Sequence, residues 1–211
     1  MSMRSIDSLV ETAGELTDSG LSQGEVADEL NVSRETASWL VTQADGETAE
    51  AERTGGPVDV HVDWSAIGRD SSRLRHLGAI MADLVRDEDE AVDLTVGVGK
   101  SGAALATSVG QELDSDLSVY VPTKHQWNEG EEGEDDTGSF SRNFAAIRDR
   151  DCYVVDDNID TGQTMTETIA RIRDEGGTPK GAVVLTDKLG RDEVDGVPVY
   201  SLIDVVQMTE G

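Results

Sequence analysis

Apolar residues recur at helical spacing through the first 45 positions of the chain. Ile6, Leu9, Val10, Ala13 and Leu16 make one stripe over 5–19, which ends before Gly20. Ser22 followed by Glu25 is a capping-box pair and predicts a second helix with Val26, Ala27 and Leu30 on its inner side. Asn31-Val32-Ser33 makes a short turn, and Ser33 can cap a third helix whose inner face holds Ala37, Leu40, Val41 and Ala44. Three short helices joined by tight turns form a helix-turn-helix domain over 1–45. Residues 46–58 are polar and carry Gly55-Gly56-Pro57 near their end, a composition that suits a linker.

Beyond the linker the period changes. A short β-like piece at Val58, Val60 and Val62 precedes an amphipathic helix over 72–86 bearing Leu74, Leu77, Ile80, Met81, Leu84 and Val85. From Val92 onward, strands at 93–98, 117–121, 151–156, 181–186 and 197–201 alternate with helices near 102–113 and 163–175. Continuous apolar strands alternating with helices predict an α/β domain over 59–211, a mostly parallel sheet with helices on both faces. Between Lys124 and Phe140 the chain is polar, rich in glycine and acid, and has no apolar period. Long segments of that kind in compact domains are commonly lids or disordered.

Charge changes the picture most. The chain holds 44 acidic residues against 17 basic ones, a net charge of −27, and its only lysines are Lys100, Lys124, Lys180 and Lys188. The acids interrupt well-patterned apolar stripes and do not replace them, which fits a folded protein with an acid-coated surface. Such a surface with lysine stripped out predicts adaptation to high intracellular salt, where a Debye length of about 3 Å screens charge in place. No apolar run reaches the roughly 18 residues of a membrane span, and Met1–Val10 lacks a secretion signal, so a cytoplasmic protein is expected. The single cysteine, Cys152, lies in an apolar strand pattern and reads as buried filler. His61 and His76 have no partner pattern near them, and no Cys/His spacing of the zinc type occurs, so no definite metal site is predicted.

The most informative stretch runs from Cys152 to Thr164. An apolar strand delivers Asp156 and Asp157 to its carboxyl end, a short loop follows, and a helix begins. Ligands of open α/β sheets bind at this edge. Gly162 allows close backbone approach, while Asp160, Thr161, Gln163 and Thr164 belong to a loop and helix start whose N–H groups and hydroxyls can hold a phosphate. The adjacent carboxylates can accept bonds from a sugar diol or bind Mg²⁺ through water. The chemistry asks for a sugar carrying a phosphate.

This run, VVDDNIDTGQT, closely resembles the phosphoribosyl-pyrophosphate motif of type I phosphoribosyltransferases, and the resemblance spans roughly residues 60 to 205. It implies that Asp156 and Asp157 contact sugar hydroxyls and that residues 160–164 bind the phosphate. The run from Val96 to Gly102 resembles the family's pyrophosphate-binding loop, with Gly99, Lys100, Ser101 and Gly102 as a second anion loop. Lys124-His125, which opens the long polar segment, resembles the remains of the orotate enzymes' mobile catalytic loop, and Asp160 resembles the purine-salvage branch, where that position serves as a base. In an enzyme, Asp160, Lys124 and His125 are thus the catalytic candidates; Asp160 reads equally well as a capping residue. The stretch Tyr120–His125 lacks an Arg-Lys pair and leads into Glu129, Glu131, Glu132, Glu134, Asp135 and Asp136, acids that oppose stabilisation of a pyrophosphate leaving group.

The whole arrangement is similar to the GfcR-type regulators of haloarchaea, which join a helix-turn-helix to an orotate-transferase-like domain. The resemblance implies a transcriptional regulator of sugar catabolism that binds promoter DNA as a homodimer and senses a phosphorylated sugar acid such as 2-keto-3-deoxy-6-phosphogluconate, with no cofactor required. The alternative is a working orotate or purine phosphoribosyltransferase using phosphoribosyl pyrophosphate and Mg²⁺. In the DNA reading, Ser33, Arg34, Glu35, Ser38 and Thr42 lie on the solvent side of the third helix, where they can reach base edges in a major groove. Trp39 either packs on the domain or contacts a sugar. Residues 1–52 hold two arginines, Arg4 and Arg34, against twelve acids, so counterion release contributes little and direct readout must count for more.

Overall fold

The computed structural model of the chain describes residues 5–45, 59–86, 91–122 and 138–206. The chain falls into two compact units, which divide between Trp64 and Ser65. In the first unit the apolar stripes become helices α1 (Ile6–Asp18), α2 (Gln23–Leu30) and α3 (Arg34–Ala44). The Ser22–Glu25 capping box forms in both directions: Glu25 N–H donates to Ser22 Oγ at 3.4 Å and Ser22 N–H donates to Glu25 Oε2 at 3.0 Å. Asn31 ends α2 at φ +50°, a left-handed conformation that Asn tolerates, so the chain turns within three residues before Ser33 caps α3 through the Thr36 N–H at 3.1 Å. Ala13, Val26, Ala27, Leu30, Val32, Ala37, Leu40 and Val41 form the core. Ile6 departs from its expected place: 63% exposed, it opens α1 beyond the packed part of the helix.

Residues 59–64 form no strand. They lie against the α2–α3 turn instead. Asp59 Oδ2 accepts the Ser33 N–H at 2.6 Å, the Val62 carbonyl accepts from Asn31 Nδ2 at 3.1 Å, and His61 Nδ1 donates to the Leu30 carbonyl. The alternating valines thus belong to a segment laid on helices, and the first unit extends through Trp64. The expected linker, 46–58, lies outside the described residues.

The second unit contains α4 (Ser65–Gly68), α5 (Ser71–Asp83), β1 (Leu94–Val98), α6 (Gly99–Leu113), β2 (Asp116–Val121), β3 (Ser139–Phe140), β4 (Asp151–Ile159), α7 (Gln163–Asp174), β5 (Thr178–Asp187), β6 (Glu193–Val194) and β7 (Val197–Asp204). The strand order is β3-β2-β1-β4-β5-β7-β6. The five inner strands run parallel, and the two-residue strands β3 and β6 add antiparallel edges. All five residues of β1 are buried, as expected of a central parallel strand covered on both faces.

On one face Met165, Ile169 and Ile172 of α7 pack on Val96, Val154, Ala182 and Val184. On the other, α6 lies over β1 and β4 and against α5. Glycine makes that second contact possible: a Cβ at Gly97 would sit 2.5 Å from Ala103 Cα, and one at Gly78 would sit 2.3 Å from Ser108 Cβ. Each large side chain so buried contributes about 1.5–3 kcal/mol. The chain leaves β1 for β2 on one side and returns to β4 on the other, so strand order reverses there. In open α/β sheets such a reversal is where ligands bind, here at the carboxyl ends of β1 and β4.

Candidate functional site

The carboxyl ends of β1 and β4 are built differently. Gly99, at φ +61°, turns β1 directly into α6, so Gly99, Lys100, Ser101 and Gly102 form the first turn of that helix, which starts three residues before the helix expected from position 102. No side chain caps α6, which leaves its first backbone N–H groups available at this carboxyl edge. Ser101 Oγ donates to Asp157 Oδ1 at 3.0 Å, and the Asp157 N–H donates to Asp156 Oδ1 at 2.9 Å. A Cβ on Gly102 would stand 2.6 Å from the Val155 carbonyl oxygen and 3.1 Å from Asp156 Oδ1, so only glycine lets α6 pass this close to the end of β4. Asp157 is 9% exposed. Both carboxylates therefore stand between a helix start and a strand end.

After Ile159 the chain bends through 160–162 into α7. Gly162, at φ +80°, is the N-cap of α7 and has no side chain to cap the helix. Thr161 Oγ1 accepts the Gln163 N–H at 3.4 Å, which leaves the hydroxyl proton free to donate outward. Thr161 and Gln163 are exposed and Thr164 is half-buried. A helix start with hydroxyls around it favours an anion through its N–H groups and its dipole.

The loop after β5 borders this start. Leu189 Cδ2 lies 3.0 Å from where a Cβ on Gly162 would sit, the Lys188 N–H donates to the Ile159 carbonyl at 2.8 Å, and Asp187 Oδ1 accepts the Leu189 and Gly190 N–H groups at 2.7 and 3.1 Å. Lys188 was not among the expected site residues. Its signal was an Asp-Lys pair directly after an apolar strand, at the same sheet edge. Lys100 and Lys188, two of the four lysines, both stand at carboxyl ends of strands, whereas Lys180 pairs with Asp151 at the other end, at 3.6 Å. Lys124, His125 and the acids from Glu129 to Asp136 lie outside the described residues. Among the described residues no three His, Cys, Asp or Glu side chains converge on a point where a metal ion could be held.

On α3, Arg34, Glu35 and Thr42 are exposed and Ser38 is half-buried. The Ser33 hydroxyl is engaged in capping, and Thr42 Oγ1 donates to the Ser38 carbonyl at 2.9 Å. Trp39 packs against the core of the helical unit.

Residues 63–209 match the family model described as the phosphoribosyl transferase domain. Over 208 residues the chain is 59% identical to the transcriptional regulator GfcR of Halorubrum lacusprofundi, covering 98% of each chain. It is 58% identical to the regulator of the same name from Haloarcula marismortui over 207 residues, 98% of this chain and 97% of the other. Among solved structures, an orotate phosphoribosyltransferase from Aeropyrum pernix superposes with a TM-score of 0.56 at 22% identity, covering 72% of this chain and 82% of that one, a likeness of fold.

Proposed function

Because the chain belongs to the family of transcriptional regulators named GfcR and carries a type I phosphoribosyl transferase fold, we propose that it is a DNA-binding regulator of sugar catabolism whose ligand is a phosphorylated sugar acid. The observation that carries this reading is the short run from the Asp156–Asp157 pair of β4 to the start of α7 at Gly162, at the carboxyl edge of the sheet. A carboxylate pair suits a diol and a helix start suits a phosphate. 2-keto-3-deoxy-6-phosphogluconate offers both groups. A regulator needs only to bind such a molecule, so the acids at 129–136, which oppose departure of pyrophosphate, do it no harm.

DNA contact falls to α3, with Arg34 as its only basic residue. A lone helical unit with two arginines against twelve acids over 1–52 binds DNA weakly, so a homodimer presenting two copies of α3 to a two-fold operator is the arrangement we favour. No helix among the described residues is long and apolar enough to cross a membrane, and we place the protein in a cytoplasm of high salt. Mg²⁺ belongs only to the transferase alternative, where Asp156 and Asp157 would hold it through water beside a pyrophosphate.

A thermal-shift screen in molar KCl compares phosphorylated sugar acids with phosphoribosyl pyrophosphate. A true ligand at 100 times its Kd adds about 2.7 kcal/mol of stability. We expect that gain from the sugar acid, and its loss in the Thr161→Ala, Thr164→Ala double variant. A gain from phosphoribosyl pyrophosphate alone, with pyrophosphate released on adding orotate or a purine, would support the enzyme instead.

A further inference from the structure

Two polar atoms beside the cradle are buried and have no hydrogen-bond partner among the described residues: Asn158 Oδ1 and Thr186 Oγ1. They occupy facing positions of adjacent parallel strands, Asn158 on β4 opposite Thr186 on β5. Asn158 directly follows Asp157, and Thr186 precedes Asp187, whose carboxylate shapes the loop beside Gly162. Strand alternation puts Asn158 on the face of Cys152 and Val154, and Thr186 on the face of Ala182 and Val184, the side that α7 covers. The pair therefore lies at the carboxyl edge on the side from which the phosphate loop enters α7. Thr186 is only 1% exposed, and leaving a buried hydroxyl unpaired is costly. The preceding positions, Val183 to Leu185, are apolar, and a Val at 186 would fill the same volume with no orphaned atom.

We propose that Asn158 and Thr186 form a hydroxyl-recognising subsite, which selects a hydroxylated carbon chain attached to the phosphate over a plain alkyl or flat aromatic group. The inference rests on the reading of the cradle as a sugar-phosphate site. An amide oxygen accepts, an amide NH₂ donates and a threonine hydroxyl does both, which matches an alcohol group that also does both. Neither Asn158 nor Thr186 carries a charge, so the spot offers a carboxylate no ion pair. A sugar acid therefore directs its hydroxyls here and its carboxylate away. Leu189 is half-buried against the same core.

The test uses the full chain in molar KCl and calorimetry with four probes: inorganic phosphate, butyl phosphate, ribose 5-phosphate and 2-keto-3-deoxy-6-phosphogluconate. Wild type is expected to bind at least one sugar phosphate about tenfold or more tightly than butyl phosphate. Thr186→Val and Asn158→Leu are each expected to weaken that sugar phosphate about tenfold, leave inorganic and butyl phosphate unchanged, and not lower the ligand-free Tm. Thr186→Ser, which keeps the hydroxyl, retains wild-type affinity. A lowered Tm with unchanged sugar-phosphate affinity would assign the pair a structural role and overturn the subsite while leaving the cradle intact. Equal weakening of all four probes, or a wild type with no preference over butyl phosphate, overturns it as well. A wild type that binds no probe overturns the cradle and the subsite together.

Discussion

Replacing Gly102 by alanine tests how the carboxylate pair is held. The added Cβ would lie 2.6 Å from the Val155 carbonyl oxygen and 3.1 Å from Asp156 Oδ1. Carbon–oxygen contacts settle at about 3.3–3.6 Å, so α6 and the end of β4 must part by about 0.7 Å. Neither side yields easily, because α6 is continuous with β1 at Gly99 and the opposing atom belongs to the backbone of a central strand. Overpacking of this kind costs about 1–3 kcal/mol, which lowers the Tm of a domain this size by about 2–12 °C. The same displacement carries Ser101 away from Asp157, whose bond is 3.0 Å, and loosens the site for a diol. Ser101→Ala removes that bond without adding volume and is expected to cost about 1 kcal/mol. The assay is a thermal melt in molar KCl together with calorimetry of a sugar phosphate. A Gly102→Ala protein with wild-type Tm and affinity would refute the argument that close passage of α6 holds the pair.

Three further outcomes follow from the same structure. Arg34→Ala is expected to weaken specific DNA binding by about 1–3 kcal/mol without changing ligand affinity, as read by gel-shift titration at fixed salt, because Arg34 is the only basic residue on α3. Leu40→Ala, at a position 1% exposed in the helical core, is expected to cost about 2–5 kcal/mol and abolish DNA binding while the α/β domain still binds phosphate; unaltered melting would contradict the packing described. Burial pushes the Cys152 thiol up to about 12, with Asp151 adding to the shift, so a thiol reagent at pH 8 should not modify the folded chain; rapid labelling would show that β4 opens locally.

The elements most legible in the sequence are those whose residues read their own neighbours. The five inner strands stand within a few residues of their expected positions, since a central parallel strand is a continuous apolar run. The Ser22–Glu25 box and the Asn31–Ser33 turn likewise follow from local spacing. Elements defined by distant partners were not readable. β3 and β6, two residues each, are too short to show a period, and residues 59–64 alternate like a strand but bond to the α2–α3 turn. At the candidate site the motif showed which residues gather, but not that Ser101 bonds Asp157 across 56 positions, nor that Lys188 stands beside Ile159. Those contacts come from strand order, which no local pattern contains.

We propose that one chain couples sugar-phosphate binding to operator binding. Linkage makes the coupling reciprocal: if ligand changes DNA affinity by some factor, DNA must change ligand affinity by the same factor. The direct measurement is the Kd of 2-keto-3-deoxy-6-phosphogluconate in molar KCl, with and without a DNA fragment that the chain has selected from a random pool, alongside its mass in solution. We expect a dimer whose ligand Kd shifts on adding DNA by the factor that ligand imposes on DNA binding. A chain that selects no DNA, or whose ligand Kd is indifferent to it, would contradict the claim.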